Sequence, residues 1–197
     1  MRTIFFRSLA FAVATLTVTS AAAGEERASR LLNSMEVGQL MARAEPADHV
    51  RLSDHFSALG DWHTAQINRH KSMSERFLGN ASRNLPTGMS MHCNRLADLH
   101  EQSATAARQL ADTHETLSSA TTATPPEHRA LYEYFLTLAT RYSADAKEHA
   151  ALAQVYRGTR LAQVALHHDR LAVLARESAK EATAAAVMHK DLADIAR

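Results

Sequence analysis

The sequence predicts an all-α fold, an up-down-up-down antiparallel four-helix bundle made from two duplicated helical hairpins. Apolar residues recur at three- and four-residue steps through four long segments, and glycine and proline fall mostly between them. The second half of the chain also repeats the first. Moving residues 46–79 forward by 79 sets Pro46, His49, Leu52, Phe56, Leu59, His70 and Gly79 on Pro125, His128, Leu131, Phe135, Leu138, His149 and Gly158. Moving residues 92–117 forward by 75 sets His92, Leu96, Leu99, Ser103, His114 and Leu117 on His167, Leu171, Leu174, Ser178, His189 and Leu192.

The elements follow in order. Residues 1–23 read as a signal peptide, with Arg2 and Arg7 ahead of a short apolar run and Ala21-Ala22-Ala23 as a cleavage site. That places the protein in a periplasm or outside the cell, with no membrane span once the signal is removed. Residues 24–45 are an N-terminal segment with a short amphipathic helix built on Leu31, Leu32, Met35, Leu40 and Met41. The bundle occupies 46–197, as repeat 1 (46–120) and repeat 2 (125–195), with helices over about 48–78, 91–119, 127–157 and 161–196. Gly79 and Gly158 stand where helices end, and Pro126 suits a first turn. The links are short enough to force antiparallel neighbours.

Losing the signal removes two arginines and no acids, leaving 20 basic against 21 acidic residues. So even a balance, without a basic block, gives no basis for binding nucleic acid or an anionic membrane surface. Cys93 is the only cysteine, so no internal disulfide forms. A homodimer is compatible with this composition.

Four histidine pairs persist between the repeats beside the apolar positions. His49 to His70 and His128 to His149 are 21 residues, three heptads, and His92 to His114 and His167 to His189 are 22, close to six turns. In an antiparallel bundle this gathers His49, His114, His128 and His189 in one layer. A second layer, roughly 32 Å away at ~1.5 Å per residue, takes His70, His92, His149 and His167.

Convergent imidazoles from several helices are how bundles build metal sites. Asp48, Glu115 and Glu127 lie beside the first layer in sequence and are candidates to complete a coordination sphere. Cys93 follows His92 and meets His168 in the other repeat, which makes both candidate ligands. With Met73, Met89 and Met91 nearby, that end is expected to prefer copper. Imidazoles of ordinary pKa would lose metal as the pH falls through about 6.5. His55 and His100 are expected on the surface, and His63 and Tyr142 in the middle of the core.

The function expected is binding of copper or zinc ions for buffering, storage or tolerance. A b-type haem bundle for electron transfer or sensing stands as the alternative, with facing histidines as axial ligands. A ligand-free structural or partner-binding helical module is the third. Motifs for covalent haem, di-iron, zinc-protease, serine-hydrolase and phosphate-loop chemistry are absent from the sequence. No nucleophile–base pair stands out, so no enzymatic activity is expected.

Overall fold

The computed structural model describes residues 31–79, 88–120, 123–159 and 162–195. The signal-peptide reading of residues 1–23 lies outside them. Five helices and no strand are present among the described residues: α1 Ser34–Arg43, α2 Pro46–Gly79, α3 Met89–Ser118, α4 Pro125–Tyr156 and α5 Ala162–Ile195. No helix among them is long and apolar enough to cross a membrane.

Local chemistry sets the helix ends. Asn33 accepts the Glu36 N–H while Glu36 accepts the Asn33 N–H, a reciprocal cap that starts α1. Thr124 and Glu127 make the same box at α4, with Pro125 and Pro126 in the first turn, where a missing N–H costs nothing. After α4 the chain turns at Gly158, whose φ of +82° is a conformation that favours glycine. Gly60 sits inside α2 at an intrinsic cost of about 1 kcal/mol. A methyl group there would lie 3.2 Å from Arg108 Cγ and 3.5 Å from the Ala104 carbonyl, so glycine lets α3 come close.

α2 packs on α3, α4 on α5, and α3 on α4. His49 meets His114 and His63 meets His100, so contacts run in opposite order along α2 and α3. The same holds for α4 and α5 through His128 with His189 and His149 with His168. α1 lies against α2, where the Leu32 N–H donates to His55 Nδ1, and the Ser34 hydroxyl reaches Glu181 of α5. Leu40 and Met41 of α1 join the larger apolar cluster with Leu52, Phe56, Leu110, Leu131, Phe135 and Ala186. A second cluster holds Met89, Leu96, Leu152, Tyr156 and Ala165. Each fully buried leucine contributes about 1.5–3 kcal/mol relative to an exposed one.

The buried face of α5 corrects the one drawn from the sequence. Its core residues are His168, His189 and seven alanines: Ala165, Ala172, Ala175, Ala179, Ala182, Ala186 and Ala193. The expected face of His167, Leu171, Leu174 and Leu192 is rotated by about one residue, and Leu192 is 40% exposed. Large rings project from α2 and α4 into this space, so α5 contributes small residues there.

Candidate functional site

Every seventh residue of α2 from His49 carries a ring: His49, Phe56, His63, His70 and Phe77. On α4 the series is His128, Phe135, Tyr142, His149 and Tyr156. The facing heptad positions are Cys93, His100, Ala107 and His114 on α3, and His168, Ala175, Ala182 and His189 on α5. A seven-residue repeat keeps side chains on one seam between coiled helices. Rings from α2 and α4 therefore face imidazoles, alanines or Cys93 at successive levels.

At the level where α2 and α4 begin, His49 Nδ1 lies 3.0 Å from His114 Nδ1, and His128 Nδ1 lies 3.1 Å from His189 Nδ1. Phe56 stacks on His114 and Phe135 on His189, each with centroids 5.6 Å apart, and the two phenyl rings meet edge to face. The expected first layer is thus brought together, with the four imidazoles close enough to influence one another electrostatically. Burial, reinforced by neighbouring imidazoles, pulls the pKa of His114 and of His189 down to about 3. Both rings are therefore neutral at physiological pH. Their Nε2 atoms are buried without a hydrogen-bond partner. Each such atom costs about 1–3 kcal/mol.

The acids beside this layer have other partners. Asp48 is buried against the Arg43 guanidinium, which holds its carboxyl below the usual range. Glu127 closes the α4 cap, and Glu115 is exposed. None of the three completes a coordination sphere in this arrangement.

Farther along, the structure gathers a different set from the one expected. His149 Nδ1 pairs with His168 Nδ1 at 3.0 Å, and His63 Nδ1 with His100 Nδ1 at 3.0 Å. His70 stacks on His100 at 5.3 Å and lies 6.4 Å from His149, joining five imidazoles in one cluster. His92 is turned away and bonds Glu148 at 2.7 Å, while His167 is half-buried beside His168. The reason is the seam's period. From His114 and His189, three heptads back is Cys93 and His168; one residue more turns a side chain by roughly 100°.

Cys93 is buried, a free thiol whose pKa is raised by burial. It occupies the place that His168 takes in the other repeat, and His70 Nδ1 is left buried without a partner. Met89 is buried, whereas Met91 is 52% exposed.

His55 and His100, expected at the surface, are 7% and 4% exposed. α1 covers His55, and His100 lies on the seam. His63 is 1% exposed, and its Nε2 is 3.3 Å from the Tyr142 hydroxyl. Counting by sevens from His49 and from His114 finds His63 and His100; matching identities between repeats does not, because their counterparts are Tyr142 and Ala175. Burial lowers His63 to about 3; burial and then His63, His70 and His149 lower His100 to about 2. Asp145 is raised to about 7, first by burial and then by Glu148. Its 3.8 Å separation from His149 Nε2 is too long for a hydrogen bond, and burial favours the neutral form of both groups.

Among the described residues no three His, Cys, Asp or Glu side chains converge on one metal-sized point. The repeating unit is therefore the pair. Comparisons with protein-family models, curated proteins and solved structures found no match.

Proposed function

We propose that the protein is an exported binder of transition-metal ions, copper before zinc, that serves buffering, storage or tolerance. One observation carries this: two imidazoles from neighbouring helices meet Nδ1 to Nδ1 at 3.0–3.1 Å in the pairs His49–His114, His128–His189 and His149–His168. The same distance suits a hydrogen bond and a chelate. With a metal–nitrogen bond of about 2.05 Å, nitrogens 3.0 Å apart subtend about 95° at the ion. That is close to the cis angle of tetragonal copper(II). A tetrahedral zinc would need each pair to open to about 3.3 Å. On binding, the ring that donates its Nδ1–H transfers that proton to its own Nε2 through solvent, and both Nδ1 lone pairs face the ion. Remaining positions are left to water or other small ligands.

The duplicated placement of His49–His114 and His128–His189 supports treating the four long helices as an up-down-up-down bundle of two related hairpins. Haem fits less well. Two axial imidazoles need nitrogens about 4 Å apart across the iron, from two bonds of about 2 Å, and a further ring is stacked against each pair. A ligand-free module accounts for the packing but gives no reason to bury so many imidazoles, whose desolvation costs free energy that leucine would avoid.

Elemental analysis and an absorption spectrum of protein purified without chelators test this proposal. Bound copper or zinc that withstands dialysis is the expected result. A Soret band would replace it with haem, and metal-free protein that gains no melting temperature with excess copper or zinc would leave the ligand-free module.

A further inference from the structure

The two repeats are unlike in the middle of the seam. The first has His63 and His100 where the second has Tyr142 and Ala175. We propose that the His63–His100 pair is a metal-binding unit in its own right, present in the first repeat only, that takes a copper(II) ion between its two Nδ1 atoms. This rests on the metal-binding proposal above and extends it to residues that the duplicated histidine pattern omits.

Several observations point to a ligand here. The pair's 3.0 Å Nδ1 separation matches the 3.0–3.1 Å of the three pairs at other levels, so one geometry recurs without being inherited through the duplication. His63 Nε2 reaches the Tyr142 hydroxyl at 3.3 Å. With the N–H on Nε2 donated to that oxygen, the Nδ1 lone pair is left bare. A hydrogen bond at the far nitrogen is how a metal-binding histidine is held in its ligating tautomer. Tyr142 is thus a positioning residue supplied by the other repeat. His70, stacked on His100, is 7% exposed and has a buried Nδ1 with no partner, a further nitrogen beside the pair.

A reporter is built in. Trp62, the chain's only tryptophan, lies edge-on to both imidazoles, with centroids 4.9 Å from His63 and 5.7 Å from His100. His49 is 14 residues from His63, roughly 21 Å along the helix at ~1.5 Å per residue. Copper held at the end layer is therefore far from the indole, whereas copper at the central pair is beside it.

The test is a copper(II) titration of the metal-free full chain, followed by Trp62 fluorescence and by equilibrium dialysis. The variant is H63Y/H100A, which installs the residues that the second repeat already carries at these places. H100A alone serves as a milder control, and circular dichroism checks that each variant folds. In the parent, copper should quench Trp62 stoichiometrically. The double variant should bind about one ion fewer and lose that quenching phase, and H100A should weaken it. Tyr142→Phe should keep the number of ions and weaken one of them about 10- to 100-fold.

Unchanged copper content and quenching in H63Y/H100A would overturn this site while leaving metal binding by the other pairs intact. Copper binding by the parent without any Trp62 quenching would do the same. A parent chain that binds no copper would remove both this site and the broader proposal.

Discussion

A buried imidazole pair is an expensive way to fill a core, and that cost can be measured. His114 is 0% exposed and His49 7%. Changing His49 to Leu alone strands His114 Nδ1 without its partner, which should destabilise the metal-free protein by about 1–3 kcal/mol. Replacing both with leucine removes the stranded group, and stability should return to near the parent value or exceed it. Chemical denaturation of the two single variants and the double variant gives the coupling energy. Phe56 is the opposite case. At 3% exposure, between His114 and Phe135, its truncation to alanine should cost about 3–5 kcal/mol.

The ring pKa values bear on metal affinity as well. Two ordinary imidazoles would lose about tenfold in affinity between pH 7 and 6. His63, near 3, and His100, near 2, remain neutral across that range while folded. Calorimetry at the two pH values, with circular dichroism confirming that the metal-free chain is folded at both, should therefore find the affinity of this pair changed by less than about twofold. A tenfold loss would mean that the rings titrate as exposed ones.

Among the helices, α2 and α4 were legible from sequence and α5 was not. On α2 and α4 the seam residues are phenylalanine, tyrosine and histidine beside Leu52 and Leu131, so bulk and burial coincide. On α5 the core needs small residues to admit those rings, while Leu171 and Leu174 lie half outside. Assigning the core to the largest apolar residues turns the helix by one position, which puts His167 in the layer and leaves His168 beside it as a further candidate ligand. On α3 the expected face holds, since Leu96, Ser103, Leu110, His114 and Leu117 are buried, and only its first residue differs: Cys93, also a candidate ligand, lies on the seam while His92 bonds Glu148. Counting from His114 in sevens reaches Cys93, because the seam keeps the period of a coiled bundle and a straight helix does not. His49, His114, His128 and His189 lie on the seam under either count. If alanine is needed on α5 for volume, Ala186→Leu, at a site 1% exposed, should overpack the core and cost about 1–3 kcal/mol by thermal melting.

The whole molecule should be unusually sensitive to acid. His55, His63, His70, His100, His114, His149, His168 and His189 all have folded pKa values of about 2 to 4, against about 6.5 unfolded. A depressed imidazole pKa means the unfolded chain binds more protons. Stability is therefore retained above about pH 6.5 and falls as the pH drops from there towards 4. Each ring forfeits roughly 1 kcal/mol per pH unit in that window. Eight such rings together consume a typical total stability of about 5–15 kcal/mol within about 0.5 to 1.5 units. The metal-free protein should then unfold between about pH 6 and 5 by circular dichroism. Metal bound only to the folded state should move that midpoint lower.

The central claim is that the Nδ1 pairs hold metal, and copper content measured pair by pair tests it most directly. The folded chain, dialysed against a copper(II) buffer, should retain copper. That content should fall by about one ion with each pair replaced, first His49 with His114, then His128 with His189, His149 with His168, and His63 with His100. Copper content that is nil in the parent, or unmoved as the pairs are removed, would contradict it.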